Sequence, residues 1–147
     1  MWEKFAQALF RKNSCPSLPT ANILFVDDNE GQRKLISRIL SKKNYRVLLS
    51  DDGEKGLQLA KTQKLDLILL DIVLPGINGI EVCKRLKSDP ETQNIPVLFF
   101  TGSDTPQNIL DCYEFGAENY INKSISSGAL ISQIEMTLKE AEHTSGT

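Results

Sequence analysis

Two kinds of apolar pattern alternate along this chain, and that alternation most constrains its fold. Short runs rich in branched residues stand at 23–26 (ILFV), 47–49, 65–70, 95–100 and, more weakly, 120–121. Runs of this length without polar alternation suit strands covered on both faces, as in a parallel sheet. Between them lie stripes at helical spacing. These are Leu35, Ile36, Ile39 and Leu40; Leu57 and Ala60; Ile80, Cys83 and Leu86; Ile109, Leu110 and Tyr113; and Leu130, Ile131, Ile134 and Leu138. Such stripes read as core-facing sides of five helices rather than as ligand sites. Five strands alternating with five helices imply βαβ units and a doubly wound α/β sandwich, a five-stranded parallel sheet with helices on both faces.

The remainder of the composition excludes several classes. A chain of 147 residues fits one domain. A net charge of −2 gives no general attraction to nucleic acid or to an anionic membrane surface. Asp66 and Asp71 interrupt the most apolar stretch, so no segment is long enough to insert in a bilayer. The N-terminus lacks the uncharged core of a signal peptide. Three widely spaced cysteines, Cys15, Cys83 and Cys112, read as reduced thiols of a cytoplasmic protein without a zinc or disulfide framework. The expected organisation is an amphipathic helix and Pro-containing linker over 1–20, a main domain over 21–142 and a flexible tail over 143–147. In the first part, Trp2, Phe5, Ala6, Leu9 and Phe10 share one helical face. That face either packs on its own domain or serves docking or dimerisation.

Polar residues punctuate the ends of the apolar runs. Asp27 and Asp28 end the first, Asp71 the third and Thr101 the fourth, and Lys123 follows the fifth. In an open parallel sheet the carboxyl ends of the strands border the ligand crevice. Each residue has an ordinary explanation by itself: Asp27, Asp28 or Asn29 as a helix cap, Asp71 as a turn cap, Thr101 as a strand end and Lys123 as a solvated cation. Together they bring three carboxylates, a hydroxyl and an ammonium to one edge. Carboxylates so placed repel one another unless a hard divalent cation such as Mg²⁺ sits among them. A cation and a lysine around a further carboxylate suit phosphate chemistry.

Four pieces of the sequence, ILFVDDNEGQRKLI, LDLILLDIVLPGINGIEVCKRLK, IPVLFFTG and GAENYINK, together resemble the response-regulator receiver domains of two-component signalling, single-domain and chemotaxis-regulator-like. The resemblance covers about residues 22–141. It implies a flavodoxin-like sheet in the order 2-1-3-4-5. It implies Asp71 as the phosphoacceptor for a phosphoryl group from a histidine kinase or phosphotransfer protein. Asp28 is then the direct ligand of Mg²⁺, Asp27 reaches it mainly through water, and the Val73 backbone carbonyl completes the protein's share. Thr101 matches the switch hydroxyl, with Gly102 leaving the phosphoryl group room. Tyr120 matches the aromatic that moves with the switch, and Lys123 the lysine that pairs with phosphoryl oxygens. The output surface would be the helix after Thr101, the last strand and the final helix, with Gln133, Glu135, Lys139 and Glu140 as candidate contacts for a downstream protein or a homodimer. The expected product is a phosphorylatable regulator with no output domain after Thr147. It is not an enzyme toward other substrates and does not bind nucleic acid directly.

One departure stands out: Ser124 follows Lys123 where the family usually has proline, often across a cis bond. Val73 also brings an apolar side chain near the path of a hydrolytic water. Two other classes compete with the leading reading. One is a pseudo-receiver that acts as a constitutive interaction module. The other is a phosphatase with an aspartate nucleophile, whose usual Asp-x-Asp spacing Asp27-Asp28 lacks.

Overall fold

The computed structural model describes residues 19–102 and 105–145; the expected N-terminal helix and Cys15 lie outside them. Strands β1 (Asn22–Val26), β2 (Arg46–Ser50), β3 (Leu67–Leu70), β4 (Val97–Thr101) and β5 (Asn119–Asn122) alternate with five helices. These are α1 (Glu30–Ser41), α2 (Gly53–Thr62), α3 (Gly79–Ser88), α4 (Pro106–Glu114) and α5 (Ser127–Ser145). All strand pairings are parallel and the order is β2-β1-β3-β4-β5.

The apolar strands work because both faces of the sheet are covered. Leu24, Val26, Ile68, Leu70, Val97 and Phe99 pack with Ala60, Val82, Cys83, Leu86 and Cys112 of α2, α3 and α4. Their strand neighbours Ile23, Phe25, Leu67, Leu69, Leu98 and Phe100 pack with Ile36, Leu40, Leu130, Ile131 and Ile134 of α1 and α5. Each such buried Val, Leu, Ile or Phe side chain contributes about 1.5–3 kcal/mol relative to exposure. A polar residue in the middle of β1, β3 or β4 would meet apolar surface on either face, so polar chemistry is driven to strand ends.

Local signals start the helices. Asn29, Asp52, Asn78 and Thr105 each accept a hydrogen bond from the backbone N–H three residues on, and Ser126 does the same for Ala129. Each cap of this kind is worth about 1 kcal/mol. Helix α4 ends with Gly116 at φ 96°, which lets Gly116 and Ala117 donate back to Tyr113 and Cys112.

Several expectations need correction. Leu35, Leu110 and Tyr113 are about half or more exposed rather than core-facing. Leu35 adjoins the buried Ile36 and Tyr113 the buried Cys112, and successive helix positions point about 100° apart. Strands β3 and β4 begin at Leu67 and Val97 rather than at 65 and 95, because Asp66 caps Asn22 and Pro96 has no N–H for the ladder. Helix α5 runs to Ser145 without a break, since neither Gly nor Pro occurs between Gly128 and Gly146. Among the described residues no helix is long and apolar enough to cross a membrane.

Cys83 and Cys112 are buried, unpaired thiols. Burial pushes Cys83 up to about 11 and Cys112 up to about 12. In a Cys15→Ser variant, an alkylating reagent at about pH 8 should label neither thiol in the folded chain and both in denaturant, as read by mass. Unfolded thiols titrate near 8.5. Their raised folded values therefore contribute stability that is complete below that pH and is lost as pH climbs toward 11. Urea midpoints should fall across that window; midpoints that stay level would contradict the burial argument.

Candidate functional site

The backbone ladder carries the predicted residues to one place. Asp27 N–H donates to Ser50 at 3.0 Å and Asp71 N–H to Val26 at 3.1 Å, so each acid sits one step past its strand on neighbouring tracks. Thr101 is the last residue of β4, paired in register with Asn122, and the Lys123 N–H donates to its carbonyl at 3.0 Å. Strand β1 is flanked by β2 on one side and β3 on the other, so connections leave in opposite directions and a crevice opens at their carboxyl ends.

In that crevice Asp27 and Asp71 are buried and Asp28 is exposed. Ligand oxygens of the three acids lie within 4.8 Å of one another. The Lys123 ammonium bridges two of them, at 2.7 Å from Asp27 Oδ2 and 2.8 Å from Asp71 Oδ2. Burial disfavours the charged lysine, but its hydrogen bonds to Asp27 and Asp71 and their charges outweigh that, so Lys123 is held above the ordinary lysine range. The second oxygen of Asp27 accepts from the Asn29 N–H at 2.9 Å, whereas that of Asp71 has only a long contact of 3.4 Å from Val73 N–H. Among the described residues no donor reaches the Asp28 carboxylate. Three carboxylates against one ammonium leave net negative charge. Oxygen donors grouped this way, one of them with no protein partner, fit a hard divalent cation.

Thr101 is fully buried, and a side chain added at the neighbouring Gly102 would meet open space. Val73 is exposed two residues beyond Asp71. Tyr120 is partly buried and packs against the cluster under α2, α3 and α4. Its N–H donates to Asn119 Oδ1, which also accepts from the Tyr113 hydroxyl at 2.9 Å, while Asn119 Nδ2 donates to Gln133 at 2.7 Å. One asparagine thus ties α4, β5 and α5 together beside Tyr120. The Lys123–Ser124 peptide is trans, and Ser124 N–H donates to Asn122 Oδ1 at 2.8 Å.

Two residues of the site escaped the sequence reading. Arg33 reaches back from α1 to donate to the Asp27 carbonyl at 2.8 Å, clamping the β1–α1 turn. The signal was available, because helical side chains lean toward the N-terminus and Arg33 lies in the first turn of α1. Gly79 opens α3 directly against Asp71. A Cβ there would run into the Asp71 carbonyl, so only glycine lets the helix approach the acid's backbone this closely. Its signal was the Asn78-Gly79 pair that follows Leu74-Pro75-Gly76.

The sequence matches the family model described as "Response regulator receiver domain" over residues 23–135. The chain belongs to the response-regulator receiver family. It is similar to Protein PilH of Pseudomonas aeruginosa, 34% identical over 118 residues that cover 80% of this chain and 98% of that protein. Transcriptional regulatory protein AfsQ1 of Streptomyces coelicolor is 32% identical over 84% of this chain and 54% of its own length. This chain therefore spans about half of AfsQ1 but nearly all of PilH. Among solved structures, a CheY-like receiver domain protein from Methanospirillum hungatei superposes with a TM-score of 0.81 at 26% identity, covering 87% of this chain and 99% of that one. The receiver family in general is phosphorylated on aspartate and is a signalling module rather than an enzyme. Membership replaces the phosphatase reading considered above.

In this receiver Lys123 holds Asp27 and Asp71 together. A Lys123→Met variant keeps the stem and removes the charge, leaving two buried acids facing each other. Breaking a buried pair costs about 3–5 kcal/mol; since the Lys123 side chain is 22% exposed, a loss of about 2 kcal/mol is expected at neutral pH without divalent cation. Added Mg²⁺ should recover part of it in urea unfolding. An unchanged midpoint would show that the bridge does not hold this edge.

Proposed function

We propose that Asp71 accepts a phosphoryl group from a phosphohistidine on a histidine kinase or phosphotransfer protein, and that residues 21–142 act as the receiver that answers it. The observation that supports this most is Asp71 buried at a strand end, bridged by Lys123 to Asp27, with one oxygen only loosely held. In the transfer an Asp71 oxygen bonds to phosphorus as the phosphorus–nitrogen bond breaks, and the electron pair stays on the histidine ring. An aspartate is a competent nucleophile when the charge around it is neutralised. Mg²⁺ bound by Asp28, Asp71 and the Val73 carbonyl, and by Asp27 through water, would supply part of that neutralisation.

Lys123 is already within reach of Asp71 and turns from its carboxylate to the new phosphoryl oxygens. Thr101 supplies a hydroxyl to the same group, with the space beside Gly102 admitting it. As Thr101 moves, Tyr120 follows, and the Asn119 hydrogen bonds to Tyr113 and Gln133 carry the change to α4 and α5. That face is the proposed contact for a downstream protein or a second copy. Gln133 lies on it, whereas Glu135 and Lys139 line a groove on the other side of α5 with Tyr45 and Asp66.

Acetyl phosphate tests the assignment directly. With Mg²⁺ the native chain should gain one acid-stable, base-labile phosphoryl group by mass, and Asp71→Asn should gain none. Incorporation that survives Asp71→Asn would move the acceptor elsewhere; Mg²⁺ binding without incorporation would favour the pseudo-receiver. Val73, exposed beside the acceptor, should slow the hydrolytic water. Val73→Asn is expected to shorten the phosphoryl lifetime severalfold, on the scale of about 1 kcal/mol in the barrier. An unchanged lifetime would remove that role.

A further inference from the structure

At the opposite end of the sheet, where β1, β3 and β4 begin, a groove of about 450 Å³ lies beside the last turns of α5. Tyr45, Ile95, Pro96 and Leu138 give it apolar lining, and Asp66, Glu135 and Glu142 set three carboxylates against the one ammonium of Lys139. Burial, and then the charge of Glu135, raise the Tyr45 hydroxyl above its ordinary value. Thr20 and Ala21 line the same groove, and the Thr20 N–H is tied to the Asn44 carbonyl at 2.8 Å. The chain therefore enters the described fold at the groove's own edge.

We propose that this groove seats the chain's own first twelve residues. Their apolar residues, Trp2, Phe5, Ala6, Leu9 and Phe10, recur at helical spacing and have no counterpart in the strand–helix pattern of the main domain. Lys4, Arg11 and Lys12 outnumber Glu3, so the segment is basic where the groove is acidic. The connecting residues 13–20 span at most about 27 Å when extended, which confines the stripe to the neighbourhood of this end of the sheet. A short tether also gives the segment an effective concentration in the millimolar range, so seating within one chain outcompetes exchange with a second copy. The occupant is thus set by position, apolar pattern and charge together. Because the groove lies at the far end of the strands from Asp71, the seated segment braces the frame and leaves the acidic site open.

Trp2 is the sole tryptophan, so its fluorescence reports the segment in the intact chain. In the native protein its emission should lie to the blue of the urea-denatured chain, be shielded from acrylamide, and not change over a hundredfold range of protein concentration. Glu135→Lys combined with Glu142→Lys alters only helix-surface positions, so far-UV circular dichroism should be unchanged. In that variant, and in native protein at high salt, Trp2 should shift to the red and lose its shielding. Acetyl-phosphate incorporation should remain, which separates this inference from the phosphoacceptor reading. Emission already matching the denatured chain, or untouched by the charge reversal, would overturn the proposal. A blue shift that grows with concentration would assign the groove to the segment of a second copy instead.

Discussion

A parallel sheet covered on both faces cannot hide polar groups anywhere but at its ends. In β1, β3 and β4 the side chains alternate between two apolar clusters, one under α2, α3 and α4 and the other under α1 and α5. An aspartate in mid-strand would be stranded on either side at a cost of several kcal/mol. The same acid one residue past the strand meets the crevice between diverging connections. The location of the site is in this sense a consequence of core packing, with chemistry placed where burial stops.

That placement creates an electrostatic debt. Asp27 and Asp71 are buried, and Asp28 adds a third carboxylate within reach of the same point. Lys123 offsets it in part by bridging the two buried acids, from a position fixed by the register of β5 on β4. The remaining negative charge leaves a group of three acids that could hold a divalent cation. Arg33 and Gly79 hold the frame around it, one clamping the turn after β1 and the other allowing α3 to abut the Asp71 carbonyl.

Downstream of the acids, the molecule offers a physical route from site to surface. Thr101 ends β4, the Lys123 N–H bonds its carbonyl, and three residues before Lys123 lies Tyr120, whose N–H is held by Asn119. Asn119 in turn reaches Tyr113 on α4 and Gln133 on α5. Leu110 and Tyr113, expected in the core from spacing alone, are exposed on α4, Tyr113 with its hydroxyl on Asn119.

The sequence by itself determined the class of fold and the roster of the acidic edge. Apolar runs too short for helices, set between helical stripes, admit little except a buried parallel sheet, and strand ends in such a sheet converge whatever the details. Asp27, Asp28, Asp71, Thr101 and Lys123 were legible for that reason. Which side of a helix faces in was less so, because Leu35 adjoins Ile36 and Tyr113 adjoins Cys112, and hydrophobicity alone does not separate neighbours about 100° apart. The pairing of Lys123 with both buried acids, the trans peptide before Ser124, the reach of Arg33 and the tight approach of Gly79 were decided only by the tertiary structure. Each depends on distances between segments far apart in the chain, set by strand register and helix docking rather than by local preference.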